Sequence, residues 1–229
     1  MKIAELFYSI QGEGKLTGVP SVFVRTSGCN LRCAWCDTPY ASWRPEGEDL
    51  TYKQVIQRVK KFHARHVVLT GGEPMIMPDL VPLVDELISS GHHVTVETAG
   101  TRYQPIKVHL ASVSPKLSNS TPWNIERGRF ADLHEKNRLE PQVIQQFIDT
   151  SWDFQLKFVV AFEKDLDEID ALLEKLTEWE PTDVLLMPEG VDPATLAARS
   201  GWIVEVCKAR GFRFCPRLHV MLYGNQRGT

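Results

Sequence analysis

Three of the five cysteines in this 229-residue chain, Cys29, Cys33 and Cys36, fall within eight residues in the spacing CxxxCxxC. Three thiolates on one tight loop are a donor set for a metal centre, and their number narrows the choice. Structural zinc takes four protein ligands in a closed tetrahedron, and an electron-carrying iron-sulfur cluster normally takes four cysteines. The other two offer no fourth: Cys207 lies in a helical pattern with Trp202, Ile203 and Val206, and Cys215 sits between Phe214 and Pro216, so both read as small buried hydrophobes. A cubane cluster on three cysteines keeps one iron open to a small molecule, the arrangement needed to bind and reductively cleave S-adenosylmethionine.

Other residues with chemical capacity stand near strand ends. Arg25 follows the apolar run Val22-Phe23-Val24, which reads as a buried strand. A buried guanidinium must meet an anion, either a structural carboxylate or a substrate carboxylate held in bidentate fashion. Gln11-Gly12-Glu13-Gly14 reads as a tight turn whose glycines also permit close approach to a ligand. Thr70-Gly71-Gly72-Glu73-Pro74 follows the run Val67-Val68-Leu69. Alone it is a strand-to-helix turn with Pro74 near the first helical position, but Glu73 also offers a carboxylate to a cation such as an α-ammonium. Thr38, beside Pro39, has a plain reading as a turn residue, and Lys116 one as a solvated charge. The seven histidines, His219 in the expected last strand included, are read without a special role.

The elements that position these residues follow from periodicity. Strands are expected over 3–9, 21–26, 67–69, 93–98, 108–113, 154–160, 184–187 and, closing the set, 212–222. Helices are expected from Thr51 as N-cap to about His63, then over 80–90, 143–148, 165–179 and 193–210. The connection between the strands at 93–98 and 108–113 is too short for a good helix. Residues 118–138 are polar and irregular, an insertion or lid. Short apolar strands alternating with helices argue a parallel α/β sheet. Its six or seven core strands fall short of the eight of a closed barrel, which gives a partial, open TIM-like (β/α)6 barrel in a single domain, 1–229. The motifs then share the carboxyl ends of the strands, where such sheets bind ligands.

Composition excludes some functions. The net charge is -3 with scattered lysines and arginines, so no basic stripe suggests nucleic-acid binding. No apolar run approaches the roughly 20 residues of a membrane helix, and the N-terminus has no signal-peptide pattern. A cytoplasmic location is expected, and a reducing compartment suits thiolate ligation.

The CxxxCxxC loop with Trp35 before its last cysteine resembles the radical S-adenosylmethionine superfamily. The flanks are sharper. Phe7 to Gly14, Phe23-Val24-Arg25, Cys36-Asp37-Thr38, Thr70 to Pro74, Glu97-Thr98-Ala99-Gly100 and Ser114-Pro115-Lys116 are similar in order and spacing to the 7-carboxy-7-deazaguanine synthases, across nearly the whole chain. The resemblance implies a [4Fe-4S] cluster on Cys29, Cys33 and Cys36. It also implies S-adenosylmethionine held by Gly72 and Glu73 at its amino group and by Thr98, Ser114, Pro115 and Lys116 at ribose or carboxylate. Trp35, Cys36 and Asp37 would lie against the adenine, with Met187, Pro188, Glu189 and Gly190 closing over it. Ile10, Gln11, Gly12, Glu13, Arg25 and Thr70 would hold the substrate, 6-carboxy-5,6,7,8-tetrahydropterin, and Thr38 would bind Mg²⁺. A 5′-deoxyadenosyl radical would abstract hydrogen, ring contraction and loss of ammonia would yield 7-carboxy-7-deazaguanine, a queuosine precursor, and the cofactor would be regenerated. A flavodoxin-like electron donor and a homodimer are the further expectations. In shorter relatives the C-terminal end approaches the substrate, whereas this chain runs on to Thr229.

Two rivals remain at the level of sequence. Another radical enzyme, such as a glycyl-radical activase, shares the cysteine loop without needing the Gln11–Gly14 turn, Arg25 and Cys-Asp-Thr together. A cysteine-based electron-transfer module would need a fourth ligand.

Overall fold

The computed structural model describes all 229 residues. Strand β1 (Lys2–Ile10) runs antiparallel to β2 (Pro20–Thr26), and the two-residue β3 (Glu48–Asp49) pairs along the outer edge of β1. From β2 onward every pairing is parallel, through β4 (His66–Gly71), β5 (His93–Thr98), β6 (Leu110–Val113), β7 (Phe154–Val160), β8 (Val184–Pro188) and the stub β9 (Arg213–Phe214). The sheet order is β3-β1-β2-β4-β5-β6-β7-β8-β9. Its first and last strands do not pair, yet the chain beside them meets: the Leu218 amide donates to the Gly12 carbonyl at 2.9 Å. The sheet therefore curls into the expected partial barrel, with six full parallel strands.

Helices cover the outside. They are α1 (Tyr52–Val59), α2 (Leu80–Ser89), α3 (Ala131–Asn137), α4 (Pro141–Thr150), α5 (Asp165–Leu173), α6 (Pro193–Arg210) and α7 (Leu218–Tyr223). Thr51 and Gln54 form a reciprocal capping box at the start of α1, and Asp192 accepts the Thr195 amide to cap α6. Between β5 and β6 no helix forms, as the short connection requires.

The strands alternate more than the sequence suggested. Val22, Val24, Val67, Leu69, Val94, Val96, Phe158 and Val160 join the apolar core beneath the helices. The residues between them, Arg25, Thr70, Glu97 and Lys157, face a cleft inside the barrel. One face of each strand is thus a packed core and the other a polar bore, the period-2 consequence of pleating.

Four expectations need correcting. Residues 212–222 are a stub and a helix instead of a strand, because Pro216 cannot donate to a ladder and α7 then satisfies its own backbone. The helix expected to 179 ends at Leu173, and the chain turns at left-handed Glu178 (φ 58°). The 118–138 segment is no polar lid: it contains α3 and buries Ser120, Ala131 and His134. Finally, because β1 is antiparallel to β2, the Gln11–Gly14 turn leaves it at the amino ends of the parallel strands, and from there Glu13 reaches the cleft that the other motifs line. At the amino ends Lys15 donates from its amide to Gln155 Oε1 at 2.7 Å and from Nζ to Asp183 at 2.9 Å, plugging the bore from below.

Candidate active site

The cysteine loop follows β2 directly. Gly28 donates to Ala41 O at 2.8 Å, and Glu73 N donates to Gly28 O at 2.9 Å, so the loop is stitched to the turn after β4. Gly71 and Gly72 are required by this stitching. A Cβ on Gly72 would lie 2.1 Å from Gly28 O, and one on Gly71, at φ 140°, 2.2 Å from Thr26 O. On its other side the loop is held by 118–138: Ala34 N donates to Ser120 O at 2.7 Å and Arg32 N to His134 Nδ1 at 3.1 Å.

Cys29, Cys33 and Cys36 line one wall of a cleft of about 890 Å³, open mouth included. Burial pushes the Cys29 thiol up to about 12 and the Cys33 thiol higher still. By surface area the three cysteines are only half-buried and reach the cleft, where a bound metal centre would supply the charge that makes them thiolates. Cys207 and Cys215 are buried elsewhere and do not line the cleft, so the donor set stays at three. The three thiols do not converge as the ligands of a single metal ion would; as three donors from one loop lining one cleft, with no fourth cysteine, they suit a cubane cluster with one open iron.

Trp35, Asp37, Thr38, Gly72, Thr98, Ser114, Lys116 and Met187 share the cleft with the cysteines. Lys116 Nζ donates to Ser114 O at 2.5 Å and Oγ at 2.8 Å and stands 5.9 Å from the Trp35 ring centroid. Burial lowers its pKa. Trp35 Nε1 donates to Asn119 Oδ1 at 3.1 Å. Met187, Pro188, Glu189 and Gly190 line a smaller adjoining recess with Trp35, Asp37 and Arg217. Two residues expected at the cofactor are not on the wall. Pro115 is buried, and Glu73 is 0% exposed with its carboxylate engaged by Thr98 Oγ1 at 2.7 Å, Ala99 N at 2.8 Å and Met75 N at 3.1 Å. Glu73 clamps the turn after β4 to the end of β5 instead of facing an ammonium.

The far end of the cleft is a charged network. Arg25 Nε donates to Glu5 Oε1 at 2.8 Å, so the structural ion pair exists, while the side chain also lines the cleft. Glu5 is further bonded by the Tyr40 hydroxyl, and the C-terminal tail reaches the same place, with the Arg227 guanidinium 3.8 Å from the Tyr40 ring centroid. Thr70 Oγ1 donates to Glu97 Oε2 at 2.8 Å and Gln11 Nε2 to Glu97 Oε1 at 3.1 Å. Glu13 pairs with Lys157 and, at 2.9 Å, with Arg217 Nε. Burial alone would raise the Glu13 carboxyl, but these two cations hold it far below the usual carboxylate range. Arg217 also bonds Asp37 and, at 2.6 Å, the Gly190 carbonyl. Ile10, Gln11 and Gly12 stand behind this wall without lining it, and a Cβ on Gly12 would lie 2.0 Å from His219 Nδ1.

Glu97, Lys157 and Arg217 are the site residues that sequence reasoning passed over. Lys157 had a signal, since it is the lone charge in the apolar run 154–160, the same argument applied to Arg25. Arg217 had none, because its position depends on how the last elements fold back.

Residues 23–112 match the Radical SAM superfamily. The chain is 47% identical to the 7-carboxy-7-deazaguanine synthase of Rhodopirellula baltica over 99% of its own length and 88% of that protein. It is 45% identical to the protein of the same name from Halobacterium salinarum over 100% of its length and 93% of that protein. The crystal structure of QueE from Escherichia coli superposes with a TM-score of 0.72 at 29% identity, covering 95% of this chain and 94% of the other.

Proposed function

Because the chain belongs to the 7-carboxy-7-deazaguanine synthase family of radical S-adenosylmethionine enzymes, we propose that it contracts the ring of 6-carboxy-5,6,7,8-tetrahydropterin to 7-carboxy-7-deazaguanine with release of ammonia. The observation that carries this reading is a single cleft lined both by the three cysteines of the loop after β2 and by the polar side chains Glu13, Arg25, Thr70, Glu97 and Lys157. A radical generated beside the cysteines would meet a polar, carboxylate-bearing substrate held by those side chains.

The cluster and S-adenosylmethionine, when bound, supply the hydrogen-abstracting radical. The protein's part is placement. Cys29, Cys33 and Cys36 hold the cluster. Gly72, Thr98, Ser114 and Lys116 present backbone, hydroxyl and ammonium groups to the methionyl and ribose portions, with Glu73 and Pro115 supporting them from behind. Trp35, Asp37 and the 187–190 rim enclose the adenine. Arg25 directs its remaining guanidinium donors to the substrate carboxylate. Glu13, Thr70 and Glu97 accept from or donate to the polar ring edge, with Ile10, Gln11 and Gly12 shaping the floor and Lys157 and Arg217 keeping Glu13 ionised. Thr38 contributes a hydroxyl to Mg²⁺, an ion that uses few protein oxygens and keeps several waters. Of the carboxylates lining the same cleft, Glu13 and Asp37 are engaged by Arg217, and Glu97 accepts from Thr70 and Gln11.

The same reading takes all 229 residues as one catalytic core acting in the cytoplasm as a homodimer, reduced by a flavodoxin-like protein. No helix is long and apolar enough to cross a membrane. The test is anaerobic: reconstitute the protein, measure iron and sulfide, and follow conversion of 6-carboxy-5,6,7,8-tetrahydropterin by product and ammonia. A full cluster that cleaves S-adenosylmethionine without forming the deazaguanine would refute the substrate assignment.

A further inference from the structure

We propose that Arg217 is a positioning residue that couples the two ligands of this protein, so that filling the recess beside Trp35 tightens the hold on a carboxypterin in the main cleft. The proposal rests on the reading that the recess takes the adenine of S-adenosylmethionine and that Glu13 faces the substrate ring. One guanidinium reaches three elements. Nε donates to Glu13 Oε1 at 2.9 Å on the turn after β1, Nη1 donates to the Gly190 carbonyl at 2.6 Å just past β8, and Nη2 donates to Asp37 in the cysteine loop. These partners divide between the two cavities. Glu13 lines the main cleft, Gly190 and Arg217 line the adjoining recess of about 260 Å³, open mouth included, and Asp37 lines both. Arg217 therefore spans the wall between the two sites.

A link of this kind transmits only if its base is fixed and its contacts are not shared with water. The backbone is pinned on both sides of Arg217: Cys215 N donates to Leu186 O at 2.9 Å, and Leu218 N donates to Gly12 O at 2.9 Å. Gly14 N also donates to Cys215 Sγ at 3.1 Å. The Arg217 side chain is only 7% exposed, so solvent cannot take the place of a lost acceptor, and a planar fork holds its partners in fixed relative directions. The recess wall, by contrast, is packed apart from the large core. Val159, Leu185, Met187 and Cys215 form a small apolar cluster of their own against Trp35. A flat ring entering the recess meets Trp35, Val159 and Met187 of that small cluster, which also contains the residue two positions before Arg217.

The consequence is a coupling between binding events. A ligand in the recess fixes Asp37 and the Gly190 carbonyl, these fix the guanidinium, and the guanidinium fixes the Glu13 carboxylate. The second ligand then binds a wall already in place. Such coupling is reciprocal, each ligand tightening the other by the same factor.

The experiment titrates 6-carboxypterin, an oxidised analogue of the substrate, into the anaerobically reconstituted protein by fluorescence, with Mg²⁺ and no reductant so that nothing turns over. Each titration is made without and with saturating S-adenosylmethionine. In the wild type the cofactor should tighten pterin binding about tenfold. In R217K, where an ammonium can keep Glu13 but cannot reach all three partners, the factor should fall to about twofold or less. D37N, which leaves the bond to Glu13 in place, should keep the cofactor-free pterin affinity within about twofold of wild type and lose the enhancement; it decides alone if R217K does not fold. A tenfold enhancement retained in either variant would overturn the coupling. So would a variant whose pterin affinities weaken equally with and without cofactor, which would make Arg217 a merely structural support, and so would a wild type with no enhancement. A wild type that binds no 6-carboxypterin under either condition would overturn the substrate reading and this inference together.

Discussion

Lys157 is 5% exposed and shares Glu13 with Arg217, so three charges are withdrawn from water together. Removing one member of such a group leaves the others under-compensated. Lys157→Ala should therefore cost about 3 kcal/mol in chemical denaturation, with much of the loss recovered in Lys157→Ala/Glu13→Gln; a single variant as stable as wild type would show the pair to be idle. The linkage is two-sided. The folded Glu13 value is depressed, so its stabilisation is present above its unfolded value of 4.5 and is lost as pH falls. The folded Lys157 value is raised, so its stabilisation is complete below 10.5 and is lost as pH climbs through the folded value. For Arg25→Lys the ammonium can keep Glu5 but not the planar fork. KM for the pterin should rise about tenfold or more, with cluster content and uncoupled cofactor cleavage intact. Equal loss of soluble protein would instead make the Glu5 pair its main role. Thr38→Ala should blunt the response of turnover to Mg²⁺ while leaving the cluster in place. Superimposable Mg²⁺ titrations of chelator-treated wild type and variant would exclude Thr38 as a ligand.

At the scale of elements, the main surprise lies in 118–138, whose polar composition concealed a structural job. His134 is 1% exposed, accepting the Arg32 amide on Nδ1 and meeting Ser120 Oγ at 2.9 Å through Nε2. Since the Ser120 hydroxyl already donates to Leu117 O, the imidazole is the donor on that side and is neutral. Replacing it by Ala leaves the Arg32 amide without its partner and removes the donor to Ser120 Oγ, so His134→Ala should lose about 1–3 kcal/mol and release iron faster under chelator challenge. Unchanged iron retention would mean that the segment does not brace the loop. The strands and the CxxxCxxC loop were legible because apolar runs and cysteine spacing are local signals. The antiparallel sense of β1 was not, because a strand's residue pattern does not encode its direction, and so the Gln11–Gly14 turn was expected at the carboxyl ends, whereas it enters the cleft from the amino ends through Glu13.

For the molecule as a whole, the outer core, the open sheet and the grouping of several motifs around the cysteine loop could be read from the chain, whereas the charged network could not. Glu13, Glu97, Lys157 and Arg217 come from four distant stretches, and nothing local marks them as neighbours. The amino end of the barrel holds a second grouping of this kind, a stack of His66, His93 and His109 with centroids 4.5 and 4.7 Å apart, capped by Trp152 at 4.6 Å. The Nδ1 atoms of His66 and His93 are buried without partners. Burial, with Arg65 nearby, lowers all three, His93 to about 4. Values below the usual 6.5 mean that the folded protein binds fewer protons than the unfolded chain between pH 6.5 and about 4. Stability should hold above that window and fall as pH drops through it. His93→Phe keeps a ring in the stack and should flatten this acid limb, with neutral stability changed by less than about 1 kcal/mol; an acid limb identical to wild type would remove the stack as its cause.

The bond from Gly12 to Leu218 and the pairing of Glu13 with Arg217 join residues more than 200 positions apart, and they have a consequence in time. A ribosome delivers the three cysteines early and Arg217 about 180 residues later, which at ordinary elongation rates is on the order of 10 to 40 seconds. Throughout that interval the nascent chain carries its thiols on an unfinished wall, with the latch between the two ends of the sheet still unsynthesised. The wall around the cysteines is therefore completed late, and ribosome-stalled chains ending before Arg217 should alkylate faster at these half-buried thiols than the released protein does.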